Sequence, residues 1–186
     1  MQYDRSQIIK RIKELGLPEQ TFMLVGVRSK FVKINEFDDK FYIVTPDKCV
    51  EFNCTTDPGS DWLLKWMNPK GAAVLKQGVW KFKFGLHNGK YECLVQAEPV
   101  TVYRDTDRDE FPEEQGVEDT GYHAIHIHRA NSLAISKYIS KYSAGCTVLP
   151  NPKDFEYLMK ECKATGLKEF SYYLLKEWAI IEKHSI

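Results

Sequence analysis

The sequence lacks the features that would tie it to a polyanion, a membrane or an oxidising compartment. Lys and Arg together number 26, as do Asp and Glu, so the net charge is zero. Such a chain has no long-range field to gather nucleic acid, and no nucleic-acid partner is expected. No stretch approaches the ~20 apolar residues that span a bilayer, and the opening "MQYDRSQIIKRIKELGL" lacks the apolar run of a signal peptide. The expectation is a soluble protein without membrane insertion, made in the cytosol. Cys49, Cys54, Cys93, Cys146 and Cys162 are odd in number and show no CxxC spacing, which argues against a disulfide framework and a zinc knuckle. Most of these thiols are expected in the core. There is no internal repeat and no low-complexity linker, and histidine is scarce, at five.

What is present fits one compact domain over residues 1–186, since 186 residues at 43% hydrophobic content support one sizeable core and would cramp a second. Ile8, Ile9, Ile12 and Leu15 share a helical face behind Asp4 or Ser6 as N-cap, with Gly16 and Pro18 as the stop, so the first 20 residues predict a short helix. From Thr21 to about Val102 the apolar period becomes two, which reads as strands. Asn88-Gly89 suits a tight turn with both central residues at positive φ, and makes a hairpin of residues 79–96. The carboxylate-rich stretch 105–119 reads as an exposed loop. "GYHAIHIH" alternates like a strand, residues 129–142 look irregular, and a helix follows with Asn151 as N-cap, Pro152 at its first position and Gly166 at its end. The closing segment, within 166–186, predicts a strand, with a helix as the alternative. The class is mainly β, of α+β type.

The chemistry concentrates in "HAIHIHRAN" and "KYSAGC". Side chains alternate along a strand, so His126 and His128 face one way and Ile127 the other. Gly145 would let a reacting carbonyl approach the backbone N–H groups beside the Cys146 sulfur. A nearby imidazole would lower the thiol pKa and hold its proton for a leaving group, a task open to either histidine. On this reading Cys146 is the thiol of the five most readily alkylated. The plain alternative makes Cys146 another buried thiol on an ordinary strand. A third makes His126, His128 and Cys146 zinc ligands, for which no fourth ligand can be named.

The pair "IHIHRA" and "YSAGC" resembles the two motifs of L,D-transpeptidase catalytic domains, a strand ending in His-Gly and then Ser-x-Gly-Cys. His128 falls at the histidine, and Ser143, Gly145 and Cys146 fall on the second motif. Two positions depart from the pattern: Arg129 replaces the glycine after the histidine, and Val148 stands where the family has arginine. The upstream "TTDPG" and "LKQGVWKFKFG" extend the resemblance over roughly residues 40–165, and the combination with "GLHNGKY", "VTVYRD" and "EDTG" is similar to a divergent branch encoded by bacteriophages, whose members are cell-wall lysins.

The resemblance implies an L,D-transpeptidase-like β-sandwich or barrel, with its catalytic region at about 21–165, a short N-terminal helix and a helix after the cysteine motif. It implies a peptidoglycan hydrolase acting on peptide stems, with Cys146 as nucleophile, His128 as base and then acid, and the Gly145–Cys146 backbone as oxyanion site. Transpeptidation at the same site, or a non-catalytic wall-binding or virion module, are the alternatives. A lysin would wait in the cytosol until the membrane is breached, then act on the wall. No cofactor and no metal are expected, and the oligomeric state is left open. Arg129 would bind a stem carboxylate through its planar fork, while His126, Ser143 and Tyr122 would line the substrate site. Asp105, Asp107 and Asp109 have the first three spacings of a calcium loop, but Glu110 and Gly116 break the rest, which favours a solvated loop. Trp62, Trp66 and Trp80 are candidates for stacking on sugar rings, or for packing.

Overall fold

A computed structural model describes residues 2–179. In chain order it contains α1 (Arg5–Glu14), β1 (Met23–Arg28), β2 (Asp39–Val44), β3 (Cys49–Cys54), α2 (Ser60–Leu64), β4 (Ala72–Leu75), β5 (Gly78–His87), β6 (Tyr91–Gln96), β7 (Val100–Asp105), β8 (Val117–Gly121), β9 (His126–Arg129), β10 (Thr147–Leu149), α3 (Pro152–Ala164) and β11 (Glu169–Lys176). A single 3-10 turn at Ser140–Tyr142 precedes β10. The fold is mainly β, with helices at three points.

Local signals set the helix ends. The Asp4 carboxylate accepts the Gln7 N–H at 2.9 Å while Gln7 Oε1 accepts the Asp4 N–H at 2.9 Å, a reciprocal cap that stabilises α1 by about 1 kcal/mol. Ile8, Ile9 and Ile12 are buried, each contributing about 1.5–3 kcal/mol. Asn151 caps α3 by accepting the Lys153 N–H at 3.1 Å, and Gly166 leaves that helix at φ 69°.

Eight strands form one sheet in the order β10-β9-β6-β5-β11-β1-β2-β3, and β4-β7-β8 form a second. The large sheet curls until its ends nearly meet. Thr55, just beyond β3, and Val148 of β10 exchange both backbone hydrogen bonds at 2.9 Å, giving a barrel-like enclosure. Alternation along the strands sorts two cores. Leu24, Phe41, Phe82, Ile127, Phe170 and Tyr172 point inward towards α3 side chains such as Phe155 and Leu158. Val25, Val27, Tyr42 and Tyr173 point outward and are covered by α1. The strands β1 and β11 are therefore buried on both faces, which is why their sequences read as nearly continuous apolar runs.

The hairpin at Asn88-Gly89 forms as expected, with φ of 49° and 69°. The closing strand also forms, as β11, pairing parallel with β1; the part of that segment beyond residue 179 lies outside the described residues. Two expectations need correction. The acidic stretch is not loop throughout, because Val117–Gly121 is strand β8, paired with β7. Its carboxylates are compatible with a strand because they meet cations: Asp119 accepts from Arg104 at 2.9 and 3.0 Å, and Glu118 pairs with Lys76. Asp105 is buried at the end of β7 and accepts the Glu113 N–H at 3.1 Å. The second correction concerns "GYHAIHIH", which is two elements. The chain leaves the small sheet after Gly121, passes through Ala124 at φ 55°, and joins the large sheet only at His126. Among the described residues, no helix is long and apolar enough to cross a membrane.

Candidate active site

The strand β9 lies between β6 and β10, antiparallel to the first and parallel to the second. Ile127 enters the inner core, so His126 and His128 share the opposite face, as alternation predicts. The β10 register sets Thr147 beside Ile127, so Cys146, one residue earlier, arrives next to His126. Its sulfur accepts the His126 N–H at 3.3 Å and lies 3.6 Å from the Ala124 carbonyl oxygen. Cys146 is 8% exposed.

The turn that delivers Cys146 is held by Ser143. Its buried hydroxyl donates to the Cys146 carbonyl at 2.8 Å and accepts the Gly145 N–H at 3.2 Å. Ser143 is buried, with its donor and one acceptor site committed to the turn rather than turned to the cleft. The Gly145 N–H is likewise engaged, so in this conformation it is not a free oxyanion donor. Glycine is required here for another reason. Gly145 has φ 118°, and a Cβ would stand 2.3 Å from the Ala73 carbonyl oxygen. Gly145→Ala is therefore expected to destabilise the fold by about 3 kcal/mol, read as a lowered urea midpoint; a midpoint equal to wild type would contradict this close approach.

His87, at the end of β5, is a member of the cluster that sequence reasoning missed. Its ring stacks on His128 with centroids 4.0 Å apart, and its Nδ1 lies 3.0 Å from His126 Nδ1. Only the β5–β6–β9 register brings it there; its one sequence signal is its place beside the Asn88-Gly89 turn. Tyr91 is the other unforeseen member. Its hydroxyl donates to the Arg129 carbonyl at 3.2 Å and lies 3.3 Å from His128 Nδ1. His128 Nδ1 is 2.8 Å from the same carbonyl oxygen. A carbonyl only accepts, so in neutral His128 the proton sits on Nδ1 and Nε2 carries the lone pair. Nε2 is buried and, among the described residues, has no hydrogen-bond partner.

Burial keeps the cluster uncharged. It pushes His128 down to about 3, aided by the neighbouring His87, and His126 down to about 4. Burial also pushes the Cys146 thiol up to about 11, against the His126 N–H that favours thiolate. The resting pair is a neutral thiol with neutral imidazoles. Burial and the raised thiol pKa both argue for slow alkylation of Cys146 at neutral pH, against the expectation from its motif.

The depressed histidine has a consequence for stability. Below pH ~6.5 the unfolded chain's histidine takes up a proton, which folded His128 refuses until about pH 3. Stability due to this group is therefore present above that window and is lost as pH falls through it, by on the order of a few kcal/mol. The buried carboxyls of Asp38 and Asp57, both raised by burial, act in the opposite sense. The comparison with His128→Gln isolates the histidine: between pH ~7 and ~4.5 wild type should lose more unfolding free energy than the variant. Equal losses would mean that His128 is not held neutral.

Beside the cysteine turn lies a cleft of about 360 Å³ whose lining includes Trp62, Ala73, Arg104, Tyr122, Ala124 and Ala144. Tyr122 stands at this cleft, 69% exposed. Arg129 does not reach it. Its guanidinium lies over the Tyr91 ring at 4.2 Å and borders a separate groove with Glu92 and Phe155. The cleft's cation is Arg104, already paired with Asp119. Of the tryptophans Trp62 lines the cleft, while Trp66 lies under Arg108 and Trp80 packs on the core. Asp107 and Asp109 accept backbone N–H groups of their own loop at 3.0 and 2.6 Å. Among the described residues the grouping with metal-ligand spacing is His87, Cys93 and His126, not His126, His128 and Cys146.

No protein-family model matches the chain, and no curated protein does.

Proposed function

We propose that this chain is a cysteine-dependent peptidoglycan hydrolase on an L,D-transpeptidase-like form of the mainly β fold, with Cys146 as nucleophile and His128 as general base. One observation carries the reading. Cys146 directly precedes β10, His128 lies on the parallel strand β9 with a buried Nε2 that has no hydrogen-bond partner among the described residues, the Cys146 sulfur included, and Ala144 and Ala124 beside the cysteine line a cleft. A buried, unpartnered nitrogen lone pair is costly to keep, and we read this one as kept for proton acceptance.

In the reaction His128 Nε2 takes the thiol proton as Cys146 Sγ bonds to the substrate carbonyl carbon. The His126 N–H, which already favours thiolate, stabilises the sulfur as charge develops. The imidazolium returns the proton to the leaving amine, the C–N bond breaks, and a thioester remains. Water, deprotonated by the same imidazole, then attacks the thioester carbonyl; the C–S bond breaks, the acid leaves, and the imidazolium returns its proton to the sulfur. Because both partners rest neutral, the proton moves only as the S–C bond forms. The Nδ1–H bond to the Arg129 carbonyl fixes the tautomer throughout. Peptide stems as substrate, and a lysin role, rest on the resemblance of "IHIHRA" and "SAGC". Tyr122 and Trp62 would supply contact area in the cleft.

Mass spectrometry of defined muropeptides after incubation with the protein tests the reading. Cleaved stems with the mass of one added water are expected. Stems joined to an added amine would redirect the proposal to transpeptidation, and unchanged muropeptides of every stem length would overturn it.

A further inference from the structure

His87, Cys93 and His126 have no part in the chemistry above beyond the backbone N–H of His126, yet three neighbouring strands of one sheet converge on them. Their ligand atoms lie within 4.8 Å of one another. The two Nδ1 atoms are 3.0 Å apart, near the roughly 3.3 Å between two nitrogens that share a tetrahedral ion at ~2.0–2.1 Å each. Such a sheet presents its ligands at little entropic cost, because β5, β6 and β9 are held by their ladders.

We propose that His87, Cys93 and His126 form a binding site for a transition-metal ion of the zinc class, with a two-nitrogen, one-sulfur donor set. A thiolate and two imidazoles suit Zn²⁺ or Co²⁺ and exclude Mg²⁺ and Ca²⁺, which require oxygen ligands. Binding replaces the Cys93 S–H bond by a metal–sulfur bond and releases one proton to solvent. His87 keeps its proton count by moving the hydrogen from Nδ1 to Nε2. The Asn88 amide lies 3.2 Å from Nε2; rotated to present its oxygen, it accepts that hydrogen and orients the ring, as partners outside the ligand shell commonly do. Three protein ligands leave one coordination position open. The inference does not depend on the proposed hydrolase activity.

The test adds Co²⁺ and, separately, Zn²⁺ to purified, metal-stripped protein. Co²⁺ should produce an intense near-ultraviolet thiolate-to-metal band with tetrahedral visible bands, and Zn²⁺ should displace it stoichiometrically. Zn²⁺ should also raise the melting temperature by binding the folded state alone. Cys93→Ser should remove the ultraviolet band and weaken Zn²⁺ binding by more than about 100-fold, beyond the loss of an outer partner. His87→Gln should weaken binding while keeping the band, and Cys146→Ala should leave both intact. Each variant's metal-free unfolding midpoint distinguishes a lost ligand from a lost fold. Absence of a band in folded wild type would overturn the proposal. A band that survives in folded Cys93→Ser or vanishes in Cys146→Ala would also overturn it.

Discussion

Cys146→Ala is expected to lower turnover of a cleavable stem peptide by about 10,000-fold or more, leaving only what binding alone supplies. Cys146, just before β10, is held against the His126 N–H beside Ala144 of the cleft wall, whereas Cys54, Cys93 and Cys162 are fully buried. Cys146→Ser should fare little better, since an alcohol is a far weaker acid than a thiol and a neutral imidazole held near pKa 3 is a weak base for it. The loss must be separable from damage to the fold. Both variants should unfold cooperatively within about 1–2 kcal/mol of wild type, as judged by urea titration. Residual turnover near the wild-type rate in either variant would remove Cys146 from the mechanism. The raised thiol pKa adds a kinetic signature: iodoacetamide should modify Cys146 slowly at neutral pH and faster as pH approaches about 11.

His128→Gln is expected to reduce kcat by about 100- to 10,000-fold, the usual contribution of a positioned acid–base group, while His126→Gln should cost clearly less. The asymmetry follows from what each ring is doing. The His128 ring has its Nδ1 on the Arg129 carbonyl and a free Nε2. The His126 ring is turned to His87 at 3.0 Å, and what His126 gives Cys146 is a backbone N–H that no side-chain substitution removes. The pH profile supplies an independent check. A neutral base competent above about 3 and a thiol that ionises near 11 predict a broad flat kcat/KM through neutrality, over whatever range the fold survives. A profile with a limb near pH ~6.5 would mean an imidazole close to its ordinary value. Equal losses at the two histidines would mean that they act as a pair, and a larger loss at 126 would transfer the base to that ring.

What the sequence shows and what it hides divide along range in the chain. α1, α3 and the Asn88-Gly89 hairpin are written in a few consecutive residues, since caps, a first-turn proline and left-handed turn positions act locally. The approach of Cys146 to β9 is legible too, but through the motif resemblance rather than from periodicity. β8 is hidden because the carboxylates that argue against a strand meet Arg104, Lys70 and Lys76 from elsewhere in the chain. Ser143 is misread for a related reason: a hydroxyl before Gly-Cys looks available, and only the folded turn shows both its hydrogen-bonding roles filled. Arg129 sits one residue from the base, yet its side chain lies over the Tyr91 ring and borders another groove. His87 lies in a hairpin whose own signals concern only the turn, and its place in the cluster depends on three strands finding register.

The position of β11 has a consequence for how such a chain is made. This strand follows all the others in sequence, yet it is inserted between β5 and β1 in the middle of the large sheet, pairing with β1 from Leu24–Tyr172 to Arg28–Lys176. During vectorial synthesis the β1-β2-β3 arm and the β10-β9-β6-β5 arm therefore emerge as two unjoined pieces, each with an open edge. They can be zipped together only after Lys176 has cleared the ribosome exit tunnel. Pairing across so long a stretch of chain is slow, and the open edges meanwhile invite mispairing. The thiol and the histidines lie in one arm, but the seam at Thr55 and Val148 that closes around them needs the other. A ribosome-tethered nascent chain should then resist protease only once β11 is outside.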